Sequence, residues 1–561
     1  MSLPLLFGAA LSFLLLLAAL AFVADRHRDR LGVWLDHPLT YVLSLTIYFT
    51  AWSYFGTGAA FRESGITYLS TDMGWSFTFL FGWPLLLKAI RFVKGHRVTT
   101  LPGALSIRYG SSPLLTGLVV GVLVVSMLPY VALQFQAIAF AMRTLSLDGR
   151  GTAIGGMVLV WALITVLFGI LFGARQPDPT LRHPGIVAAM AVSGLVKLAA
   201  VAIVAGLALG RFPHLVAMVG PAGWPDMRLG TTPANSYFTW LLNFLSSMVG
   251  ILLLPHVFHL AMVEGGSDRQ VRVARWAMPL YGWLTEVCLI PIALAGVALG
   301  LVGPRFQEAI LLVPTTPALQ LLALIGGVAA ATGMAVVTIL ALANMLLIDV
   351  LLPLWPGTLT RVGPFLLPLR WGLMLLIALS SFGLWHLVRA PFLFRIGLLS
   401  FVAIAQLAPA FFLGLAWPRL QLRAVVWGLA LSLVAWLYTA LLPSLAAVSP
   451  LLRAWVNQGP AGIAWLRPHA LLGIEGLPDS VHALLWCSLL NMGALLFITL
   501  RQPISPDAEQ WTRQLLAGLT PIRTVRPLQG PVSLSNLEEF LAPYLGPERA
   551  RDEAERIRRE E

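Results

Sequence analysis

Few residues of this chain could do chemistry inside its long apolar stretches. Glu286 stands in "YGWLTEVCLIPIALAG" and Lys197 in "AVSGLVKLAAVAIVAG". A charge within a membrane is expensive and ordinarily faces a partner or a cavity, so each is a functional candidate by default. A neutral, proton-carrying carboxyl at Glu286 suits a proton-coupled cycle; a hydrogen-bonded carboxyl packed between helices is the structural alternative. Lys197 reads either as a cation beside an ion pathway or as one half of a structural pair. His256 and His259 flank a break in "LLLPHVFHLAMVEG". Three apart on a helix, they share roughly one face, which raises metal binding. No third ligand stands nearby in sequence, so gating or packing is preferred for His256 and no metal site is expected.

The elements that must position these groups are membrane spans. The 561 residues are 58% hydrophobic and only 11% charged, outside the range of a soluble domain. A span needs about 20 apolar residues, and on that measure about thirteen helices fit between Leu3 and Leu500. The first, residues 3–24, has no basic residue before it and is long for a signal-peptide core, so it is expected to be retained. The run "DRHRDR" follows it, and basic residues concentrate in cytoplasmic loops. That rule sets the N-terminus outside, the C-terminal tail in the cytoplasm, and the whole in the inner membrane of the cell. The net charge of +12 is scattered through loops, which topology explains without a nucleic-acid partner. Cys288 and Cys487 both sit in apolar spans, so neither a disulfide framework nor a thiolate metal site is indicated.

Two of these spans look broken. The second, roughly residues 37–61, carries "TIYFTAWSYFGTGAAF", whose small, β-branched and hydroxyl residues weaken helical continuity and leave carbonyls free. The seventh, 236–262, carries Ser246, Ser247 and Gly250 and then Pro255, which removes a donor and clashes with the preceding turn. Interrupted spans five helices apart and of opposite direction are what an inverted repeat produces, with a binding site between them at mid-membrane; close packing of small residues is the alternative. The ninth span, "IGGVAAATGMAVVTILALANMLLIDVLLP", adds a run of small residues and the hydroxyl of Thr332. That hydroxyl either joins broken-helix carbonyls around an alkali cation or bonds its own helix one turn back.

The order "YVLSLTIYFTAWSYFGTGAAF", "GHRVTTLPGALSIRYG", "LPHVFHLAMVEGGSDRQVRVARW" and "AAATGMAVV...LLIDVLLP" resembles the solute/sodium symporter family. Within it, the likeness is to the branch whose transporter domain is the input part of bacterial sensor histidine kinases. The resemblance implies an all-α polytopic protein of LeuT type, a five-plus-five inverted repeat with an extra first helix. The core repeats then cover about 38–207 and 234–413, with further helices at 423–442 and 479–500. It implies a sodium site near the carbonyls of Thr46 and Phe49 and near Ala329, Thr332 and Gly333; only one of the family's two hydroxyl positions is kept, so Na+ and H+ both stay open as coupling ion. It places a solute beside the two breaks, at Tyr48, Trp52, Phe244 and Ser247. Sensor-branch members often have an acidic residue where this chain has Ser193, one turn before Lys197. No other cofactor is implied.

Residues 501–561 form a polar tail whose "LEEFLAPYLGPERARDEAE" resembles the cytosolic STAC linker domain. "SLSNLEEF" offers a helix start with Ser533 or Ser535 as cap and Glu538 or Glu539 in the first turn. No histidine follows His482, so the chain is not expected to be a kinase itself. The favoured function is a secondary active, cation-coupled symporter of a small polar organic solute, such as an amino acid or short carboxylate, working by alternating access. The alternative is a transporter-like sensor signalling through its tail to a separate histidine kinase or response regulator system. An enzyme is not expected: no HExxH, no GxSxG and no paired carboxylates stand out in a span.

Overall fold

The computed structural model describes residues 1–147, 152–176, 182–215, 217, 229–230, 232, 236–354, 365–387, 393–444, 446, 449–502, 504, 506–517, 538, 550–552 and 554–556. Among them there are helices and no strands. Ten helices are each long and apolar enough to cross a membrane, and two bent pairs raise the number to twelve. A further apolar helix begins at Pro38. The chain is a multi-pass membrane protein. Its outer surface fits that solvent: along the helix Asp268–Ala298, Trp276, Leu280, Leu284 and Val287 are exposed at helical spacing, a stripe that only lipid would cover without penalty.

The first interruption lies where the sequence suggested. The helix Pro38–Leu45 tightens into one 3-10 turn, Thr46–Tyr48. Helical geometry then fails at Phe49 (ψ 85°) and Thr50 (ψ −175°), and the helix Ala51–Ser64 starts afresh. Thr50 caps the new start, its hydroxyl accepting from the Trp52 N–H at 3.1 Å, and Gln134 Oε1 accepts from the Ala51 N–H at 3.2 Å. These caps matter because hydrocarbon offers a helix end no water.

The second interruption has a different cause. The helix Tyr237–Gly250 runs into the turn Ile251–Leu253, and Leu254 (φ −58°, ψ 126°) leaves the helical region. The residue before a proline is pushed out of that region by the ring, and Pro255 then opens the helix Pro255–Phe258. A π-helical segment, His259–Glu264, completes the span, which bends by 52°. The two interruptions meet, for Thr46–Tyr48 packs on Pro255–Phe258.

Small residues set the remaining approach distances. A methyl group on Gly74 would run into the Phe244 carbonyl, so Gly74 lets the helix Leu69–Leu80 lie along Tyr237–Gly250. In the helix Pro317–Met345, Gly326 faces the ring of Tyr54 and Gly327 that of Phe55. In "LPGALSIRYG", which is helical from Leu101 to Tyr109, Arg108 donates to the carbonyls of Gly414 at 2.6 Å and Trp417 at 3.1 Å, closing a helix C-terminus as basic side chains do.

Of the tail, Pro506–Ala517 is helical, and Arg419 reaches Glu509 at 3.1 Å. Hydrogen bonds from Arg513 and the charge of Arg419 hold the half-buried Glu509 carboxyl below its usual range. Apart from Glu538, the expected helix start at 533–539 lies outside the described residues.

Candidate functional site

One face of the helix Pro184–Arg211 builds the centre of the site. Gly194 has no room for a side chain beside Thr46, so this helix presses directly onto the end of Pro38–Leu45. Lys197, almost one turn later, then arrives at the break. Its ammonium donates to the Thr46 carbonyl at 2.7 Å and to the Phe49 carbonyl at 2.9 Å, and the residue is 5% exposed. Ser193, one turn before it, donates to the Ala329 carbonyl at 2.9 Å. The Gly194 carbonyl accepts from the Tyr281 hydroxyl at 2.7 Å. One helical face thus ties together the break, Pro317–Met345 and Asp268–Ala298.

Of the five residues expected to hold a cation, Thr46, Phe49 and Ala329 meet one face of Pro184–Arg211, and the chain itself supplies the partners of their carbonyls. Thr46 and Phe49 give their carbonyls to Lys197, and Ala329 gives its own to Ser193. Thr332 bonds the Val328 carbonyl at 2.8 Å, one turn back in its own helix. Gly333 offers no oxygen from a side chain and lies against Met190.

Around the other break the balance reverses. Tyr48 OH, Ser247 Oγ and His256 Nε2 are buried and make no hydrogen bond; Ser247 is near enough to act on the Tyr48 hydroxyl. His256 is held by its other nitrogen, Nδ1, at 3.1 Å from Thr338 Oγ1, with the Tyr130 ring 6.3 Å away. Tyr130 reaches Thr50 at 3.3 Å. Trp52 is buried beside Gly397. Phe244 is not part of this group: it stacks on Trp240 at 5.4 Å and meets Phe77 at 5.7 Å, on a partly exposed face.

Glu286 leads to a feature that sequence reading missed. It is 3% exposed and accepts from the Tyr68 hydroxyl at 3.3 Å, which also lies 2.8 Å from Thr57 Oγ1. On the other side of Tyr68 lies Asp72, 5% exposed. Asp72 Oδ1 accepts from Trp75 Nε1 at 2.9 Å, while Oδ2 has no partner. Tyr68 thus binds the Glu286 carboxyl with the buried Asp72 one helical turn further along its own chain, two acids whose nearness the sequence does not show. Thr57, Tyr68, Trp283 and Glu286 line a cavity of about 70 Å³. That holds a few waters or a small ion.

Among solved structures, the chain is similar to a Na+-coupled sialic acid symporter captured in a substrate-bound, outward-open state. The TM-score is 0.63 at 11% identity, over 89% of this chain and 98% of that one. The fold is a LeuT-type symporter fold. No protein-family model and no curated protein matches the sequence. At membrane depth, irregular backbone such as that at the two interruptions is tolerated where protein buries it or where it lines a cavity.

Proposed function

We propose that this protein is a secondary active transporter that moves a small polar organic solute by alternating access, with Lys197 serving as a tethered cation where a symporter of this fold would hold a free one. The observation that carries this reading is the Lys197 ammonium on the carbonyls of Thr46 and Phe49. Those oxygens supply the negative field that attracts a cation to a broken helix, and a side chain already satisfies them.

A tethered cation cannot be carried across, but it can gain and lose a proton. When Lys197 is charged it clamps the break to the helix Pro184–Arg211; deprotonation removes the charge and weakens its hold on both carbonyls. Proton coupling follows, with Asp72, Tyr68 and Glu286 as a second place for protons to reside. The unsatisfied Tyr48 hydroxyl, Ser247 hydroxyl and His256 Nε2 suit a polar solute that fills their valences, with Trp52 packing against it. The inner membrane, the outside N-terminus and a cytosolic linker-like tail complete the proposal, on the charge asymmetry of the loops.

The test is uptake of labelled amino acids and short carboxylates into proteoliposomes under imposed proton or sodium gradients. Proton-driven accumulation, unaffected by sodium and lost in Lys197→Met, is the expected result. Sodium-driven accumulation in the native protein overturns the tethered-cation reading. Saturable binding with no accumulation under either gradient replaces transport by solute sensing through the tail.

A further inference from the structure

The sequence set His256 and His259 side by side; the fold separates their roles and gives His259 new company. His259 begins the π-helical segment that Glu264 ends, and a π turn brings residues five apart together. His259 Nε2 stands 3.2 Å from Glu264 Oε1, and His183 Nδ1, just before the helix Pro184–Arg211, stands 2.7 Å from the same oxygen. All three ligand atoms lie within 4.8 Å of one another. The Glu264 and His259 side chains are 1% and 3% exposed, and that of His183 12%. Despite its burial, His259 Nε2 makes no aligned hydrogen bond; its one polar neighbour among the described residues is the Glu264 carboxylate.

We propose that His183, His259 and Glu264 form a binding site for a divalent first-row transition cation, Zn2+ foremost. Two imidazole nitrogens and one carboxylate oxygen are a donor set that such cations prefer, with a fourth position left for water. Tetrahedral bonds of about 2.0–2.2 Å put ligand atoms roughly 3.3–3.5 Å apart, so His183 Nδ1 must withdraw from Glu264 by less than about 1 Å. His259 already stands at the required separation. His183 binds as its Nε2–H tautomer and His259 as its Nδ1–H tautomer, so both enter neutral. The carboxylate is oriented from behind, Oε2 accepting from the His183 backbone N–H at 2.7 Å, and such outer contacts tune a metal site strongly. Asp25, whose Oδ1 accepts from the Gly185 N–H at 2.7 Å, adds a second negative group.

A metal here would pin the start of the helix that carries Lys197 to the far end of the second broken span. Untagged full-length protein in detergent, stripped by a chelator, is titrated with Zn2+ alone by calorimetry and with Co2+ by visible absorption. One equivalent per chain is expected, with the strong visible bands of tetrahedral Co2+. Since outer contacts alone are worth about 10–100-fold, His259→Ala and Glu264→Gln should each weaken binding by more than about 100-fold. X-ray absorption at the zinc edge of the loaded native protein should show two imidazoles, and this reading does not depend on whether a variant folds. No stoichiometric binding, a spectrum without imidazole, or full binding by His259→Ala overturns the site. The site stands independently of the transport reading.

Discussion

The two interrupted spans differ in what fills them. At the first, the carbonyls exposed by the break at Phe49 and Thr50 are taken by Lys197, and the new helix start is capped by Thr50 and Gln134. At the second, Pro255 imposes the break; His256 Nε2 stays without a partner, and the hydroxyls of Ser247 and, across the gap, Tyr48 have only each other nearby. Buried polar groups are nearly always paired, so the contrast separates two jobs. The first break has its cation built in; the second waits for a molecule that comes and goes.

The largest effect should come from emptying the first break. Lys197→Met keeps much of the stem and removes the charge, leaving the Phe49 carbonyl unpaired in a dry interior and the Thr46 carbonyl with only the Phe49 N–H at 2.9 Å. The orphan costs about 1–3 kcal/mol, so a loss of gradient-driven uptake of about 10–100-fold is expected. Uptake near the native rate in that variant, measured at equal protein density in vesicles, would erase the distinction between the breaks.

The carboxyl pair comes next. Asp72→Asn and Glu286→Gln keep hydrogen-bonding shape and remove the exchangeable acid proton. If the pair carries protons, accumulation against a gradient falls by about 10-fold or more, a change of about 1.4 kcal/mol in coupling, while exchange of labelled for unlabelled solute at equal concentrations survives. Loss of exchange and accumulation together would make the pair a structural support.

Sequence reading reached the breaks because their causes are local: a proline at the second, and at the first a stretch with Thr46 and Thr50, whereas Gly56 and Gly58 lie within the unbroken helix Ala51–Ser64. It reached Thr332 and the small residues of Pro317–Met345 for the same reason. What it could not reach are partners set by tertiary packing. Lys197 was visible as a buried cation, with its two carbonyl partners some 150 residues earlier, at 151 and 148 positions' separation. Asp72 escaped notice in "TDMGWSF", a stretch polar enough to pass for a span end, and Tyr68 joins it to a carboxyl 218 residues from that tyrosine. Glu264 and His183 are likewise joined across 81 residues. Phe244 was grouped with Ser247 by proximity in the chain, but its ring follows Trp240, one turn back, toward the periphery.

A smaller effect is expected at the second break. Ser247→Ala deletes a hydroxyl whose one neighbour, the Tyr48 hydroxyl, it does not meet in a well-aligned hydrogen bond, so the protein should lose little stability. Solute affinity should drop roughly 2–10-fold, the worth of one neutral hydrogen bond at about 0.5–1.5 kcal/mol. Binding measured by calorimetry beside thermal unfolding separates the two readouts. A destabilised variant with unchanged affinity would return Ser247 to the packing between Gly74 and its own helix.

The smallest effect should be at Thr332, and it bears most directly on the cation. Its hydroxyl bonds Val328 within its own helix, an interaction that competes with helix geometry and adds little to it. Thr332→Val preserves the branched shape, so uptake and stability should change by no more than about 0.5–1 kcal/mol, the net worth of such a bond. Sodium should be without influence on either protein. Were the native protein to respond to sodium and Thr332→Val to lose that response, the hydroxyl would have to turn from Val328 toward an ion during the cycle. Lys197 would then have to leave the carbonyls it holds, and the first break would be a site for a visiting cation after all.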